Sequence, residues 1–125
     1  MRFSYLTYKK DPVSNEQGKY IGVLVQDGKQ IFFTYNHDLS GLKKYDPSVD
    51  EFLVSSLGTT IESVIKQKTV HVSTNHGIGN TTPGDIQFLE DLQRSYQGKV
   101  QFSVIREANF PTPEEALREL SKLTV

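Results

Sequence analysis

The stretch NHGIGNTTPG, residues 75–84, contains residue types that could hold a phosphate. It follows the β-branched run TVHVST and precedes the helical pattern DIQFLEDLQRSY. In a strand–loop–helix unit, glycines let backbone N–H groups and the positive end of the helix approach an anion. These residues therefore raise the hypothesis of a small anionic, nucleotide-like ligand bound at a loop spanning 75–82.

Neither common nucleotide-binding motif fits this segment. Gly77 and Gly79 match the dinucleotide fingerprint, but Thr82 stands where its third glycine should be. The P-loop motif requires a lysine where this chain has Asp85, and a carboxylate would repel a phosphate. A turn followed by a helix explains the same letters, with Thr82 as N-cap and Pro83 at the first helical position. We predict a structural loop, with ligand binding as the alternative.

His71 and Ser73 have the spacing of the H-x-[ST] element found in two-histidine phosphoesterases. Those enzymes need two such elements, because one histidine acts as base and the other as acid. The other histidines, His37 and His76, have no Ser or Thr two residues later. We therefore predict no catalytic residue and no cofactor. The alternative, a ligand site or phosphoester enzyme, would use His71, Ser73, His76, Gly77, Gly79, Asn80 and Arg106.

Composition argues against several other classes. Fourteen basic and fifteen acidic residues give a formal net charge of -1, and no basic stripe indicates a nucleic-acid partner. Without cysteines there is no disulfide, thiol nucleophile or sulfur-ligated zinc, and the histidines lack metal-ligand spacing. No apolar run reaches the ~18 residues of a membrane helix, and the N-terminus lacks a signal-peptide pattern. A soluble, cytoplasmic protein is expected.

Hydrophobic periodicity predicts a single α+β domain over residues 1–125, in the order β-β-β-α-β-α-β-α. We expect a mostly antiparallel five-stranded sheet with helices packed on it. The last helix carries a capping box, with Thr112 as N-cap and Glu115 three residues later. The predicted elements are strands at 2–8, 69–74 and 99–107, a hairpin at 20–35, and helices at 47–68, 85–96 and 110–123.

The hairpin is the clearest local signal. Asp27 and Gly28 suit the two central positions of a type I′ turn, where both residues need positive φ. Folding about them places Leu24 opposite Ile31. Because both faces of the hairpin are largely apolar, we expect it to lie inside a sheet or to be covered on both sides.

Short elements along most of the chain resemble a bacterial family known as domain of unknown function 3037. They are YIGVLV, HGIG, QFS at 101–103 and PEEALREL at 113–120, with Tyr8, Pro12 and Glu16 before them. The resemblance implies an α+β domain without established catalytic residues. Since members of that family are often encoded beside kinase-like proteins, it also implies a role through a partner.

We therefore predict a non-enzymatic binding or regulatory module that acts through a protein partner, with a phage, mobile-element or toxin–kinase setting as one hypothesis. Two loops flank the hairpin, at 9–20 and 36–47, and we expect them to rim one interface. The predicted contact residues are Tyr20, Tyr35, Tyr45, Lys43 and Lys44. A homo-oligomer is a further alternative, because a five-stranded sheet in a short chain leaves open edges.

Overall fold

The computed structural model describes residues 1–28, 30–66, 70–74, 77–81 and 87–125, and for 66, 70–74 and 77–81 the backbone alone. The strands are β1 (Arg2–Tyr8), β2 (Lys19–Asp27), β3 (Gln30–Tyr35), β4 (Val70–Thr74), β5 (Gly77–Thr81), β6 (Val100–Phe102) and β7 (Arg106–Glu107). The helices are α1 (Ser40–Tyr45), α2 (Glu51–Lys66), α3 (Phe88–Ser95) and α4 (Pro113–Ser121). These elements confirm the predicted α+β class.

The main sheet has five antiparallel strands in the order β3-β2-β1-β6, with β7 also paired to β1. The segment predicted as one strand at 99–107 is divided. Its first part pairs Val100 with Tyr8, and its second part pairs Arg106 with Phe3. Between them, Ser103 donates its backbone N–H to the Tyr5 carbonyl at 2.8 Å and continues the connection to β1.

A β-bulge in β2 decides which residues face each side of the sheet. Leu6 pairs with Gly22 and Thr7 with Tyr20, so Ile21 has no partner of its own on β1. The extra residue reverses the alternation, because successive strand residues otherwise point to opposite faces. Ile21 therefore joins the core on the α2 side, and Tyr20 joins the core on the α4 side.

Both faces of the sheet are covered, as the apolar hairpin predicts. One core lies beneath α1, α2 and α3 and includes Leu6, Tyr8, Leu24, Leu42, Val54, Ile61, Phe88 and Leu92. The other lies beneath α4 and consists of the buried residues Phe3, Tyr5, Val23, Val25 and Ala116. Burial on both sides explains why β2 has few polar positions.

The predicted hairpin register is wrong by two residues. Leu24 lies opposite Phe33 rather than Ile31, and Asp27 pairs with Gln30 as the last rung before the turn. The fit between Gly22 and Tyr35 accounts for this register. A Cβ at Gly22 would lie 2.8 Å from the Thr34 carbonyl oxygen and 2.9 Å from the Tyr35 Cβ, so this rung requires glycine.

The segment interpreted as a glycine-rich loop forms a strand in part. Residues Gly77–Thr81 are β5, which pairs with β4 in a separate two-stranded sheet. The predicted strand at 69–74 therefore exists as β4, but outside the main sheet. His76 and the predicted N-cap Thr82 lie outside the described residues, and α3 begins at Phe88 after Gln87.

Two helices show how local signals compare with tertiary packing. Thr112 is confirmed as the N-cap of α4, since its Oγ1 accepts from the Glu115 N–H at 3.1 Å. The segment of the short helix α1 was predicted as loop, and burial of Leu42 in the core stabilises the helix.

No helix among the described residues is long and apolar enough to cross a membrane.

Candidate functional site

A pocket of about 440 Å³ lies between the first turns of α2 and the segment that follows α3. We call it the α2 pocket. Its size falls in the range of sites that hold small ligands or single large side chains. Its apolar walls are Tyr8, Leu53, Val54, Leu57, Tyr96 and Val100, and its polar lining is Ser48, Asp50, Ser95, Gln97, Gly98 and Lys99.

One side of the α2 pocket is fixed by a buried hydrogen bond. The Tyr8 hydroxyl donates to the Asp46 Oδ2 at 2.6 Å. The other oxygen of Asp46 accepts from the Ser48 Oγ at 2.7 Å and from its N–H at 3.1 Å. Every donor in this group is therefore aimed at one carboxylate, which holds the start of α2 against β1.

The ionisation of this pair suits a structural role. The hydrogen bond from Tyr8, followed by those from Ser48, holds the pKa of Asp46 below its usual value. Burial, together with the bond to Asp46, raises the pKa of Tyr8 to about 12. At neutral pH the pair is a phenol and a carboxylate, and neither has the pKa near 7 that suits a general acid or base.

The two loops predicted to rim an interface meet at Tyr45, beside the α2 pocket. The Tyr45 ring packs edge-on against Tyr8, with centroids 6.4 Å apart. Its hydroxyl donates to the Glu16 carboxylate. The ammonium groups of Lys10 and Lys19 lie 4.8 Å and 5.5 Å from the ring centroid, within cation–π range. Residues far apart in sequence thus form one aromatic and basic surface.

Five lysines around Tyr45 and the pocket make no ion pair among the described residues. We call this set the lysine rim: Lys10 and Lys19 over the Tyr45 ring, Lys99 in the pocket lining, and Lys9 and Lys44, which adjoin Lys10 and Tyr45 in the sequence. The neighbouring carboxylates are used locally. Asp11 accepts from the Val13 N–H at 3.1 Å, and Asp50 accepts from the Leu53 N–H at 3.0 Å. Hydrogen bonds from neutral N–H groups leave both carboxylates charged, so this surface carries charges of both signs, and the five lysine charges are not held in ion pairs among the described residues.

Exposed apolar side chains stand beside the pocket at the start of α2. Phe52 is 82% exposed and Leu53 is 50% exposed. Leu53 also lines the α2 pocket, so the apolar surface runs from the exposed helix face into the cavity. Apolar surface next to a pocket is typical of protein–protein contact sites.

The structure separates the predicted partner residues. Tyr45, Lys43 and Lys44 lie together on α1, where Lys43 also approaches Glu51 at 3.7 Å. Tyr35 is only 8% exposed, and its hydroxyl lies 3.1 Å from the Thr59 Oγ1, so its side chain offers little surface for contact.

Tyr20 faces the opposite side of the sheet from Tyr45. Its ring stacks on that of Tyr5 at 4.1 Å with the planes 4° apart, and its hydroxyl accepts from the Gln17 Nε2 at 2.6 Å. The bulge at Ile21 gives it this orientation. Sequence periodicity could not show it, because an unbroken alternation would place Tyr20 on the other face.

The predicted ligand residues fall in two different sheets. In the two-stranded sheet, His71 pairs with Asn80, Ser73 with Ile78, and Gly77 and Gly79 occupy alternate positions of β5. In such a ladder, backbone N–H groups point alternately to opposite edges of a strand, so they do not converge on one anion. This corrects the loop geometry on which the phosphate hypothesis depended.

Arg106 lies in the main sheet, in β7. It lines a pocket of about 350 Å³ with Tyr20 and Lys9. The other residues of this pocket are Thr7, Asn15, Glu16, Gln17, Gln101, Phe102, Ser103 and Val104.

Among the described residues there is no group of three or more His, Cys, Asp or Glu side chains that could hold a metal ion.

Comparisons with protein-family models, with curated proteins and with solved structures find no match to this chain. The features of the molecule that bear on function are the α2 pocket, the lysine rim and the exposed start of α2.

Proposed function

We propose that the protein is a non-enzymatic binding module whose protein partner docks on the α2 pocket and the lysine rim. The observation that carries this proposal is a largely apolar pocket with nearby lysines that make no ion pair within the described part of the chain. The partner segment that fits such a surface is acidic and carries one large apolar side chain.

The apolar side chain supplies the anchor. The walls formed by Leu53, Val54 and Leu57 can enclose an aromatic or leucine side chain and remove it from water. A few buried anchors of this kind usually dominate the affinity of protein complexes. The Tyr8–Asp46 bond holds one wall in place before binding, which lowers the ordering cost of association.

The lysine rim would orient the partner and speed its association with this protein. Charges at the edge of an interface change the association rate and its salt dependence more than the affinity. Lys10 and Lys19 are held over the Tyr45 ring, so their positions are restricted before a partner arrives.

The resemblance to domain of unknown function 3037 supports a regulatory role toward a kinase-like protein partner.

The test compares matched variants in quantitative capture of partner proteins from host lysate. Leu53→Glu places a charge in the α2 pocket at a half-exposed position, and Leu123→Glu is its control at another exposed leucine. We expect Leu53→Glu to weaken capture of one partner at least ~10-fold, as loss of an anchor contact does. Leu123→Glu should retain it.

A second pair tests the charges. Lys10→Glu with Lys44→Glu should weaken binding of the same partner at low salt and reduce its salt dependence, whereas Lys122→Glu, on α4's C-terminal side, should change neither. A partner bound equally by wild type and by Leu53→Glu would overturn the proposed site, and so would affinity independent of salt in wild type.

A further inference from the structure

The strand β3 forms an open edge of the main sheet. It pairs with β2 on one side, and no other described strand pairs with it. It is six residues long, QIFFTY, and contains no charged residue and no proline. Natural proteins usually protect an edge of this kind with a charge, a proline or a bulge.

The register shows which backbone groups are free. Asn36 donates its N–H to the Ile21 carbonyl at 2.8 Å, which marks that rung as hydrogen-bonded. Hydrogen-bonded and non-hydrogen-bonded rungs alternate in an antiparallel pair, so Phe32 and Thr34 bond to β2. The N–H and C=O groups of Ile31 and Phe33 therefore point away from β2, at the open edge, together with those of Tyr35.

We infer that β3 pairs antiparallel with the same strand of a second copy of this chain, about a twofold axis at Phe33. In this register Phe33 lies opposite Phe33 of the partner subunit, and Ile31 lies opposite the partner's Tyr35. All three outward-facing rungs are then used. The two main sheets join into one continuous sheet.

A second copy fits this edge because the edge is complementary to itself. The free groups at 31, 33 and 35 are symmetric about the central residue, which is the condition for an isologous contact. The strand has no charge that would repel its own copy. The half-buried residues Ile31, Phe32 and Phe33 would lose their remaining contact with water, so pairing adds apolar burial to the backbone hydrogen bonds. This inference does not depend on the proposed partner site.

Two measurements on the full chain test it. The first is the mass in solution over a wide range of protein concentration, by light scattering. The second is residue-resolved amide exchange. We expect a dimer at high concentration, with slow exchange at Ile31 and Phe33 only under those conditions. Phe32 and Thr34 should exchange slowly at every concentration, since they bond within the chain.

Thr34→Glu tests the edge at a half-buried position of β3. In the paired register Thr34 lies beside the partner's Phe32, where a carboxylate would lose contact with water. Because of the twofold axis, each dimer would contain two such carboxylates. We expect at least ~10-fold weaker dimerisation. Ser63→Glu, at an exposed position of α2, should leave it unchanged. A monomer at every concentration would overturn the inference. A dimer in which the amides of Ile31 and Phe33 exchange rapidly would also overturn it. The same holds if these amides exchange slowly only when a peptide from another protein is bound.

Discussion

The two edges of the main sheet are built differently. At one edge, β3 is a continuous strand of six residues without a charge. At the other, β6 and β7 have three and two residues and are separated by Ser103, Val104 and Ile105. The second edge also ends in the charged pair Arg106 and Glu107. Only the second has the short, charged form that resists pairing with another chain.

The gap between β6 and β7 is closed by side chains. The Tyr5 N–H donates to the Ser103 Oγ at 2.9 Å, so β1 keeps a hydrogen bond where the ladder is broken. The Ser103 carbonyl accepts from the Ser4 Oγ and from the Gln93 Nε2, both at 2.7 Å. At this edge the Tyr5 N–H and the Ser103 carbonyl thus have side-chain partners. Among the described residues no such partner is found for the outward backbone groups of β3, and this difference favours β3 as the contact between copies.

The largest expected effect comes from breaking the fit that holds β3 in register. Gly22→Ala would place a Cβ within 2.8 Å of the Thr34 carbonyl oxygen and 2.9 Å of the Tyr35 Cβ, and both belong to the paired strand. We expect a loss of roughly 2–3 kcal/mol in the free energy of unfolding, as overpacking commonly costs. Chemical denaturation measures it.

Gly98→Ala is the matched control for that change. No atom lies within 4 Å of a Cβ added at Gly98, and its φ is not in the left-handed region. Its effect should stay within about 0.5 kcal/mol of wild type. Equal stability of the two alanine variants would show that Gly22 does not set the β2–β3 register.

A smaller effect is expected from opening the β6–β7 edge. Ser103→Ala removes the acceptor of the Tyr5 N–H, which lies in a strand buried on both sides. Leaving such a group unpaired costs ~1–2 kcal/mol. The free energy of unfolding should fall by that amount, and the Tyr5 amide should exchange faster.

Ser63→Ala, on the exposed side of α2, is the control for the loss of a serine hydroxyl. It should change neither quantity. If Ser103→Ala also left the Tyr5 amide protected, the serine would not be what closes this edge.

Sequence predicted the parts of the fold that local chemistry decides. The N-cap at Thr112 and the apolar strands β1 and β2 have signals within a few residues, and these predictions are confirmed. The register of β3 was predicted wrongly because Asp27-Gly28 is a good turn pair and predicts Leu24 opposite Ile31, whereas Leu24 pairs with Phe33. The contact between Gly22 and Tyr35 decided it instead, and that contact is visible only once the strands are paired.

The candidate site was less predictable because its residues come from distant parts of the chain. Tyr8 and Asp46 are 38 positions apart, and no sequence motif links them. Tyr20, Tyr35 and Tyr45 look alike in sequence, yet one is buried and two lie on opposite faces. The two loops predicted at 9–20 and 36–47 include Tyr45 and most of its neighbouring lysines, but the sequence gives no signal for the helix α1 or for the pocket beside it.

The smallest expected effect concerns the hydrogen bond between Tyr8 and Asp46, and it is seen at the ends of the pH range. The pKa of Asp46 is lowered in the folded state, so below about pH 4 the unfolded state binds the proton more readily and stability is lost as pH falls. The pKa of Tyr8 is raised from 10.0 to about 12, so stability is also lost as pH rises between those values.

Tyr8→Phe removes the bond between these two groups. The stability difference between wild type and this variant should therefore be full near neutral pH and shrink toward both ends of the range. Denaturation at a series of pH values measures it, with Tyr20→Phe as a control that leaves Asp46 bonded. A difference that stays constant down to the acid limit would mean that Asp46 does not depend on Tyr8 for its charge, and that the wall of the α2 pocket is held by apolar packing alone.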